Sequence, residues 1–307
     1  MTPYTPFVHL HVHSDYSPME GVSSLTALCE AARAQGADTL ALTDTNGLYG
    51  AIRFLEIAKQ TGLRPILGAE LKQDIHYTRY LHPARPRARQ DELVSPVAPA
   101  RLSVAAKSRQ SGVGIDPPLS HRAILLVKNP DGYSNLCRLL SARHCDDAFD
   151  FISAVTRYRQ GLIILSDDQD ALTAWKRQSP EDLYVELTPG AMMHQALAFS
   201  RRAGLPPVGT NRVHFVDRRQ FHLHRLLRAI ALNTTLSRLP DDACCAPTHW
   251  LAPFSTLERY YPHVPHALAN TLQVAGECWT DWNFQDTIFP AFRQLSDESA
   301  FRKLEDK

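Results

Sequence analysis

Long hydrophobic runs are absent from this sequence of 307 residues. No stretch of about 18 consecutive apolar residues occurs, and a transmembrane helix requires such a stretch. The N-terminus also lacks the basic segment followed by an apolar segment that marks a secretion signal. These two absences predict a cytoplasmic protein with no membrane-spanning segment.

An excess of charge of either sign is also missing. The chain has 33 Lys and Arg residues against 32 Asp and Glu residues, which gives a formal net charge of +1 at pH 7. A chain with this balance has no global field that draws it to nucleic acid, so any contact with DNA must come from a local patch. The length allows one large α/β domain or two smaller ones. No nucleotide cofactor is evident.

Cysteine is sparse, and its spacing is not that of a zinc-binding motif. None of the six cysteines forms a CxxC pair. In a chain of this size without a signal peptide they are predicted to be reduced thiols. Cys244 and Cys245 are adjacent in a predicted loop, and this spacing favours no metal or redox role.

Three histidines near the N-terminus are the most informative feature that is present. His9, His11 and His13 alternate with apolar residues, and on a β-strand this alternation puts the three imidazoles on one face. Neutral imidazole is the commonest metal ligand, so a divalent cation is one explanation. A half-exposed polar strand face without a metal is the alternative. We favour metal binding, because clustered imidazoles repel one another when protonated and need partners when neutral.

Two further predicted strands each end in a carboxylate. The apolar strand at 39–43 is followed by Asp44, and the strand at 65–69 is followed by Glu70. With the first strand they alternate with two predicted helices, and such a βαβαβ run requires parallel strands with right-handed crossovers. Ligand-type residues at successive strand ends are typical of an active site at the mouth of a parallel barrel.

The pattern breaks between residues 72 and 120, where proline and arginine are frequent. One interpretation is a basic arm that contacts a phosphate backbone. The other is an irregular surface insertion whose arginines keep it soluble, and we favour this one because no apolar period is present. Further buried strands are predicted at 123–127, 161–166, 183–187 and 207–210.

Several motifs resemble one family, in the same order along the chain. The sequences HVHS at 11–14, LTD at 42–44 and ILGAE at 66–70 resemble the PHP (polymerase and histidinol phosphatase) superfamily. The likeness is most specific to the N-terminal PHP domain of bacterial DNA polymerase III alpha subunits, the C-family polymerases. It continues through the segments at 125–136, 161–163, 209–215, 265–271 and 289–292.

The resemblance covers most of the chain and implies a fold. The expected architecture is α/β, a distorted (β/α)7 TIM-like PHP barrel over residues 1–285 with a C-terminal helical extension. Residues 286–307 would then be the start of a following polymerase-type region, truncated at Lys307. The polymerase carboxylates of the family would lie beyond that point, so no DNA synthesis is expected of this chain alone.

The resemblance also implies a metal site. The family draws ligands from scattered strand ends and holds up to three divalent ions. Five residues of this chain match the ligand pattern, namely His11, His13, Glu20, Glu70 and His214. Asp44 could supply a further oxygen ligand, and so could Asp168, which stands where the family has a cysteine.

Three other positions depart from the family pattern. Thr45 and Arg122 stand where the family has histidines, and Arg212 stands where it has an aspartate. A guanidinium has no lone pair to give to a metal. Replacing an anion by a cation beside a divalent ion reverses two units of charge. The electrostatic energy between two unit charges about 4 Å apart is roughly 4 kcal/mol at an effective dielectric constant of about 20.

These departures predict a partly eroded centre. We expect one divalent ion (Zn, Mn or Mg) or none. Arg122 and Arg212 are expected to fill the vacated space by pairing with Glu70, Asp44 or Asp168.

Two functions of different classes are compatible with the sequence. The first is weak metal-dependent phosphoester hydrolysis, such as a 3′–5′ exonuclease activity. The second is a non-catalytic domain that supports a polymerase or docks a replisome protein, and the lost ligands favour it. DNA and polymerase or replisome proteins are the expected partners. A free-standing enzyme like histidinol phosphatase is the alternative, disfavoured by the polymerase-like segment at 255–292.

Overall fold

The computed structural model describes residues 7–73, 121–282 and 302, which form six β-strands and nine α-helices. Within these residues no helix is both long enough and apolar enough to cross a membrane. The strands are β1 Thr39–Leu42, β2 Arg64–Lys72, β3 Arg122–Val127, β4 Leu162–Ser166, β5 Leu183–Leu187 and β6 Pro207–Gly209. The helices are α1 Leu25–Ala34, α2 Ala51–Thr61, α3 Pro130–Cys145, α4 Phe151–Tyr158, α5 Gln169–Lys176, α6 Met193–Ala203, α7 Phe221–Ala231, α8 Phe254–Tyr260 and α9 Pro265–Glu277.

The six strands form one mixed sheet in chain order, β1 to β6. β1 pairs with β2 in parallel, as do β4 with β5 and β5 with β6. β3 runs antiparallel to both of its neighbours, so the expectation of a wholly parallel barrel is wrong for this strand. The reason is that β2 ends, and β3 begins, at the same end of the sheet. There Lys72 faces Arg122, and Gln73 N–H donates to His121 O at 2.8 Å.

The histidine segment, predicted as the first strand, is extended but is not part of a regular strand. It accepts hydrogen bonds from the backbone N–H groups of Ala41 and Thr43, at 3.1 and 2.8 Å. On its other side His13 N–H donates to Val213 O at 2.8 Å, and Val213 N–H donates back at 2.9 Å. The segment therefore joins β1 to the residues that follow β6. The described sheet has six regular strands, and the seven of the (β/α)7 barrel stay a prediction.

The C-terminal helical extension consists of two helices, α8 and α9, with a short break between them. Pro265 is the first residue of α9. Proline is favoured at this position, because the N–H group that it lacks would have no hydrogen-bond partner within the helix. Tyr261 lies in the break and is 1% exposed. Its hydroxyl contacts Leu187 O at 2.6 Å and Thr210 O at 2.7 Å, so the break fastens the extension to the ends of β5 and β6.

Two predicted segments fall mainly outside the described residues. The insertion was expected to begin at residue 72, but Lys72 is the last residue of β2. The remainder of it, residues 74–120, lies outside the described residues. The predicted polymerase-type region at 286–307 also lies outside them, apart from Arg302.

We predict that Gly132→Ala destabilises the fold, because α3 begins in close contact with the turn before β4. A Cβ at Gly132 would lie 1.8 Å from Gly161 O, a backbone atom that cannot give way easily. The free energy of unfolding in urea should fall by about 1–3 kcal/mol. The matched control is Gly276→Ala in α9, whose Cβ would meet no described atom within 4 Å. It should gain about 0.5–1 kcal/mol. Equal losses in the two variants would contradict the packing argument.

Candidate metal centre

One end of the sheet, which we call the barrel mouth, gathers buried polar and charged side chains. Because β3 is antiparallel, its first residue lies beside the last residues of β2 and β4. Residues two apart on a strand share a face, so Glu70 and Lys72 project together from β2. The side chains that meet here are His11, His13, Glu20, Glu70, Lys72, Arg122, Glu186, Arg212 and His214.

The hydrogen bonds of His11 and His13 fix their tautomers. His11 Nδ1 lies 2.6 Å from Glu186 Oε1, and an ionised carboxylate can only accept, so Nδ1 carries the proton. His13 Nδ1 lies 3.1 Å from Ser17 Oγ, whose own proton goes to Asp44 Oδ1 at 2.6 Å. His13 Nδ1 must therefore be the donor to Ser17. In neutral His11 and His13 both Nε2 atoms then present lone pairs.

Those two lone pairs face one another, and either a proton or a metal ion between them would satisfy both. His11 Nε2 and His13 Nε2 are 3.0 Å apart, and neither can donate to the other in the tautomers above. Glu70 completes the group, with oxygens 3.7 Å from His11 Nε2 and 3.6 Å from His13 Nε2. Burial lowers the pKa of His13 to about 3, which disfavours a proton there. The three residues therefore fit one divalent ion.

Lys72 neutralises the two carboxylates on the other side of this group. Its Nζ contacts both oxygens of Glu20, at 2.7 and 3.0 Å, and Glu70 Oε2 at 2.9 Å. Thr45 Oγ1 donates to Glu20 at 2.9 Å, so it serves the carboxylates as a hydrogen-bond donor. Burial opposes ionisation of Glu20, but the charge and hydrogen bond of Lys72 together with the charge of His13 lower the pKa of Glu20 to about 2. The pKa of Glu70 is likewise held well below 4.5 against its burial.

Two guanidinium groups complete the neutralisation. Arg122 contacts Asp167 at 2.5 Å, Glu186 at 3.0 Å and Glu70 at 3.4 Å. Arg212 Nη2 lies 3.8 Å from Glu70 Oε1. Three protein cations thus face four carboxylates, which leaves about one unit of negative charge when the imidazoles are neutral.

The other predicted oxygen ligands have structural tasks. The Asp44 carboxylate accepts hydrogen bonds from Ser14 and Ser17. It thereby fixes the loop that follows His13. Asp168 caps α5 and contacts His121 at 2.5 Å, so it is not brought to the centre. His214 is brought to the mouth and stacks on His13, with ring centroids 4.4 Å apart.

Three functional residues were missed at the sequence level, and two of them carried a signal. Lys72 stands two residues after Glu70, which is the spacing of one strand face. Glu186 is the single charged residue within the buried strand β5. Asp167 has no comparable signal, because it is adjacent to Asp168 and the pattern does not say which of the two faces Arg122.

Comparisons with known proteins agree with this architecture. The sequence pattern of the PHP domain matches residues 9–189. The error-prone DNA polymerase of Symbiobacterium thermophilum is 29% identical over 298 residues, which cover 94% of this chain and 26% of that protein. The DNA polymerase III subunit alpha of Escherichia coli K12 is 26% identical over 300 residues, which cover 93% of this chain and 24% of that protein. The chain thus spans about a quarter of the length of these curated relatives.

Among solved structures, an amidohydrolase from Chromobacterium violaceum with bound sulfate and no metal superposes with a TM-score of 0.40. The sequence identity is 13%, and the match covers 67% of this chain and 87% of that chain.

We predict that Lys72→Met destabilises the protein at neutral pH by about 3 kcal/mol, because it leaves two adjacent buried carboxylates without their shared cation. Glu20 has a pKa depressed from 4.5 to about 2, so its ion pair contributes fully above pH 4.5 and is lost as the pH falls toward 2. The difference between wild type and variant should therefore shrink in acid. Urea unfolding at a series of pH values measures it.

The control is Arg53→Met, which removes an ion pair with Glu56 whose side chains are 60% and 54% exposed. That change should cost less than about 1 kcal/mol at any pH. A Lys72→Met variant that behaves like this control would show that the mouth does not depend on Lys72.

Proposed function

The chain belongs to the PHP domain family, and from this premise we propose that it is the PHP domain of a bacterial DNA polymerase of the polymerase III alpha type. We propose further that its barrel mouth is a partly eroded metal centre which holds one divalent ion at most. On this proposal the domain supports a polymerase region, and DNA and replisome proteins are its partners. The support comes from the two polymerases above, which match over more than nine-tenths of this chain.

The observation that carries the eroded centre is the position of Lys72. Hydrolysis by paired metals needs two ions about 3.5–4 Å apart that share carboxylate ligands. In this chain an ammonium lies within 3.0 Å of both Glu20 and Glu70, where it takes the oxygens that a second ion would need. Arg122 and Arg212 add charge of the same sign. A cluster of two or three divalent ions therefore does not fit these residues.

A second candidate function is weak metal-dependent phosphoester hydrolysis, including 3′–5′ exonuclease action. One observation favours it, since His11, His13 and Glu70 present three donors to one point. A bound ion there would act as a Lewis acid and lower the pKa of a bound water. The free-standing histidinol-phosphatase-like alternative is less well supported, because the polymerase relatives match across 93–94% of the chain.

The domain boundaries are part of the proposal. We place the PHP domain at residues 1–285, with an insertion that begins after Lys72 and ends before His121. Residues 286–307 would begin a polymerase-type region.

The proposal predicts that the purified chain binds at most one equivalent of Mn²⁺ and does not hydrolyse phosphate esters or the 3′ ends of DNA. Mn²⁺ is the appropriate probe because it prefers carboxylate oxygen donors, which Glu70 supplies at this centre. Binding is measured by metal analysis after equilibrium dialysis, and hydrolysis by release of phosphate and of labelled nucleotide. Two or more bound Mn²⁺ ions, or hydrolysis that disappears in His11→Ala, would move the enzyme hypothesis to first place.

Restoring the family residues supplies a positive test. The double variant Thr45→His with Arg212→Asp adds two donors and removes one cation, so it should bind at least one more Mn²⁺ than wild type. Its melting temperature should rise with Mn²⁺ concentration, because an ion that binds only the folded state stabilises it by about 2.7 kcal/mol at 100 times its Kd.

The matched control is Thr45→His with Arg219→Asp, which makes the same charge change at a side chain that is 91% exposed. This control should bind no more Mn²⁺ than wild type. Equal binding by the control and the test variant would show that Arg212 does not govern the centre.

A further inference from the structure

A second group of metal-ligating side chains lies beside the barrel mouth and is not explained by the proposed function. His214, Cys245 and His249 each offer a donor atom, and these atoms all lie within 4.8 Å of one another. None of the three belongs to the group formed by His11, His13 and Glu70.

Backbone pairing places the two histidines side by side. The segments that carry them run parallel, with a bridge between Phe215 and Trp250. His214 N–H donates to His249 O at 2.9 Å, and Leu251 N–H donates to Phe215 O at 2.9 Å. Residues 214 and 249 therefore stand in register on neighbouring extended segments.

The loop that carries Cys245 is held in place by side chains of the barrel. Cys245 N–H donates to His224 Nε2 at 3.0 Å, and Arg228 Nε donates to Ala243 O at 2.8 Å. The side-chain amide of Asn211 donates a hydrogen bond to Thr248 O at 3.0 Å and a second one to Trp250 O. The geometry of the loop is thus fixed before any ion binds, which is the condition for a built site.

The imidazoles of His214 and His249 lack partners. They are 4% and 6% exposed, and the Nδ1 atom of each is buried without a hydrogen-bond partner among the described residues. Buried polar atoms are nearly always paired, so two such atoms in one place call for a ligand.

The orientation of His214 separates this group from the family centre. Its ring lies at 14° to the ring of His13, with the centroids 4.4 Å apart. Lone pairs of imidazole lie in the ring plane, so two rings stacked as closely as His214 and His13 do not share an ion. The ring of His249 lies at 18° to that of His214 with the centroids 6.0 Å apart, so one of these two rings must tilt for both to bind the same ion. His214 lines the same cavity of about 380 Å³ as Cys245 and His249.

We propose that His214, Cys245 and His249 bind one zinc ion, which fastens the loop at 241–250 to the barrel mouth. One thiolate and two imidazoles are a ligand set that zinc accepts, with a fourth position left for water or an anion from the cavity. Donors of a tetrahedral zinc ion lie about 3.3–3.8 Å apart, given bonds of about 2.0–2.3 Å, so side-chain shifts of about 1 Å close the site.

The surroundings select a soft ion over a hard one. Arg212 and Arg228 line the same cavity, and their charge opposes any cation. Mg²⁺ and Mn²⁺ bind chiefly through charged oxygen donors, and this group has none. Zinc gains a thiolate bond, which offsets the repulsion. The proposal is independent of the proposed function, because the two groups share no residue.

Cobalt substitution tests the site directly. The full chain, stripped of metal, should bind Co²⁺ with the near-ultraviolet charge-transfer band that only thiolate ligation produces, at one equivalent of thiolate-bound ion. The band should disappear in Cys245→Ser, and zinc affinity should fall more than about 100-fold, since even outer-shell changes cost 10–100-fold. The control variant Cys244→Ser alters the adjacent thiol and should keep both the band and the affinity.

A second pair of variants guards against misfolding. His249→Gln should lose the band while His11→Gln, at the family centre, keeps it, and the melting temperature of each metal-free variant verifies its fold. In the His11→Gln background, which removes a ligand of the family centre, zinc should raise the melting temperature of the chain with Cys244→Ser but not of the chain with Cys245→Ser. A band that survives in Cys245→Ser, or a wild-type chain that shows none, would overturn the proposal. A negative result in the cobalt experiment would not alter the Mn²⁺ binding and hydrolysis results that test the proposed function.

Discussion

Glu70 carries the charge on which the barrel mouth depends. Its side chain has no exposed surface, and a carboxylate buried without a partner costs several kcal/mol. Lys72, Arg122 and Arg212 approach it to 2.9, 3.4 and 3.8 Å. These cations come from the end of β2, the start of β3 and the segment after β6. The sheet must therefore be assembled before Glu70 is neutralised, which ties the charge balance of the mouth to its fold.

A protein cation and a metal ion neutralise Glu70 equally well but differ in what else they do. Lys72 is part of the chain, so it is present at every metal concentration and cannot be removed by a chelator. An ammonium has no vacant coordination position and cannot activate a bound water as a divalent ion does. On the proposed function, a mouth closed by Lys72 and Arg122 gains stability that does not depend on metal and lacks the second ion that hydrolysis by paired metals requires. The His11 and His13 lone pairs keep a place for a single ion within that arrangement.

The sequence revealed local features and left their spatial partners open. Alternation and strand ends were enough to find His11, His13 and Glu70, because each of these follows from the period of one strand. The direction of β3 was not predictable in this way. It depends on how the chain returns across residues 73–121, and no local pattern there encodes it. The pairing of Arg122 with Glu186 follows from that direction, so it too was out of reach. The ion pair of Arg212 with Glu70 was expected from the sequence. The shorter contact between Lys72 and Glu70 was not expected.

His214 shows how one residue can leave a ligand set without leaving its place in the fold. The family pattern assigns it to the mouth, and the parallel pairing with residues 248–251 keeps its backbone there. Its ring nevertheless lies flat against His13 and nearly parallel to His249, at interplanar angles of 14° and 18°. Arg212, two residues earlier, carries a charge that repels hard cations from this side of the mouth. Such repulsion weighs least on an ion held by a thiolate, and Cys245 is the thiol within reach. Arg212 therefore opposes every cation on this side of the mouth, and the proposed zinc site depends on the Cys245 thiolate to offset that repulsion.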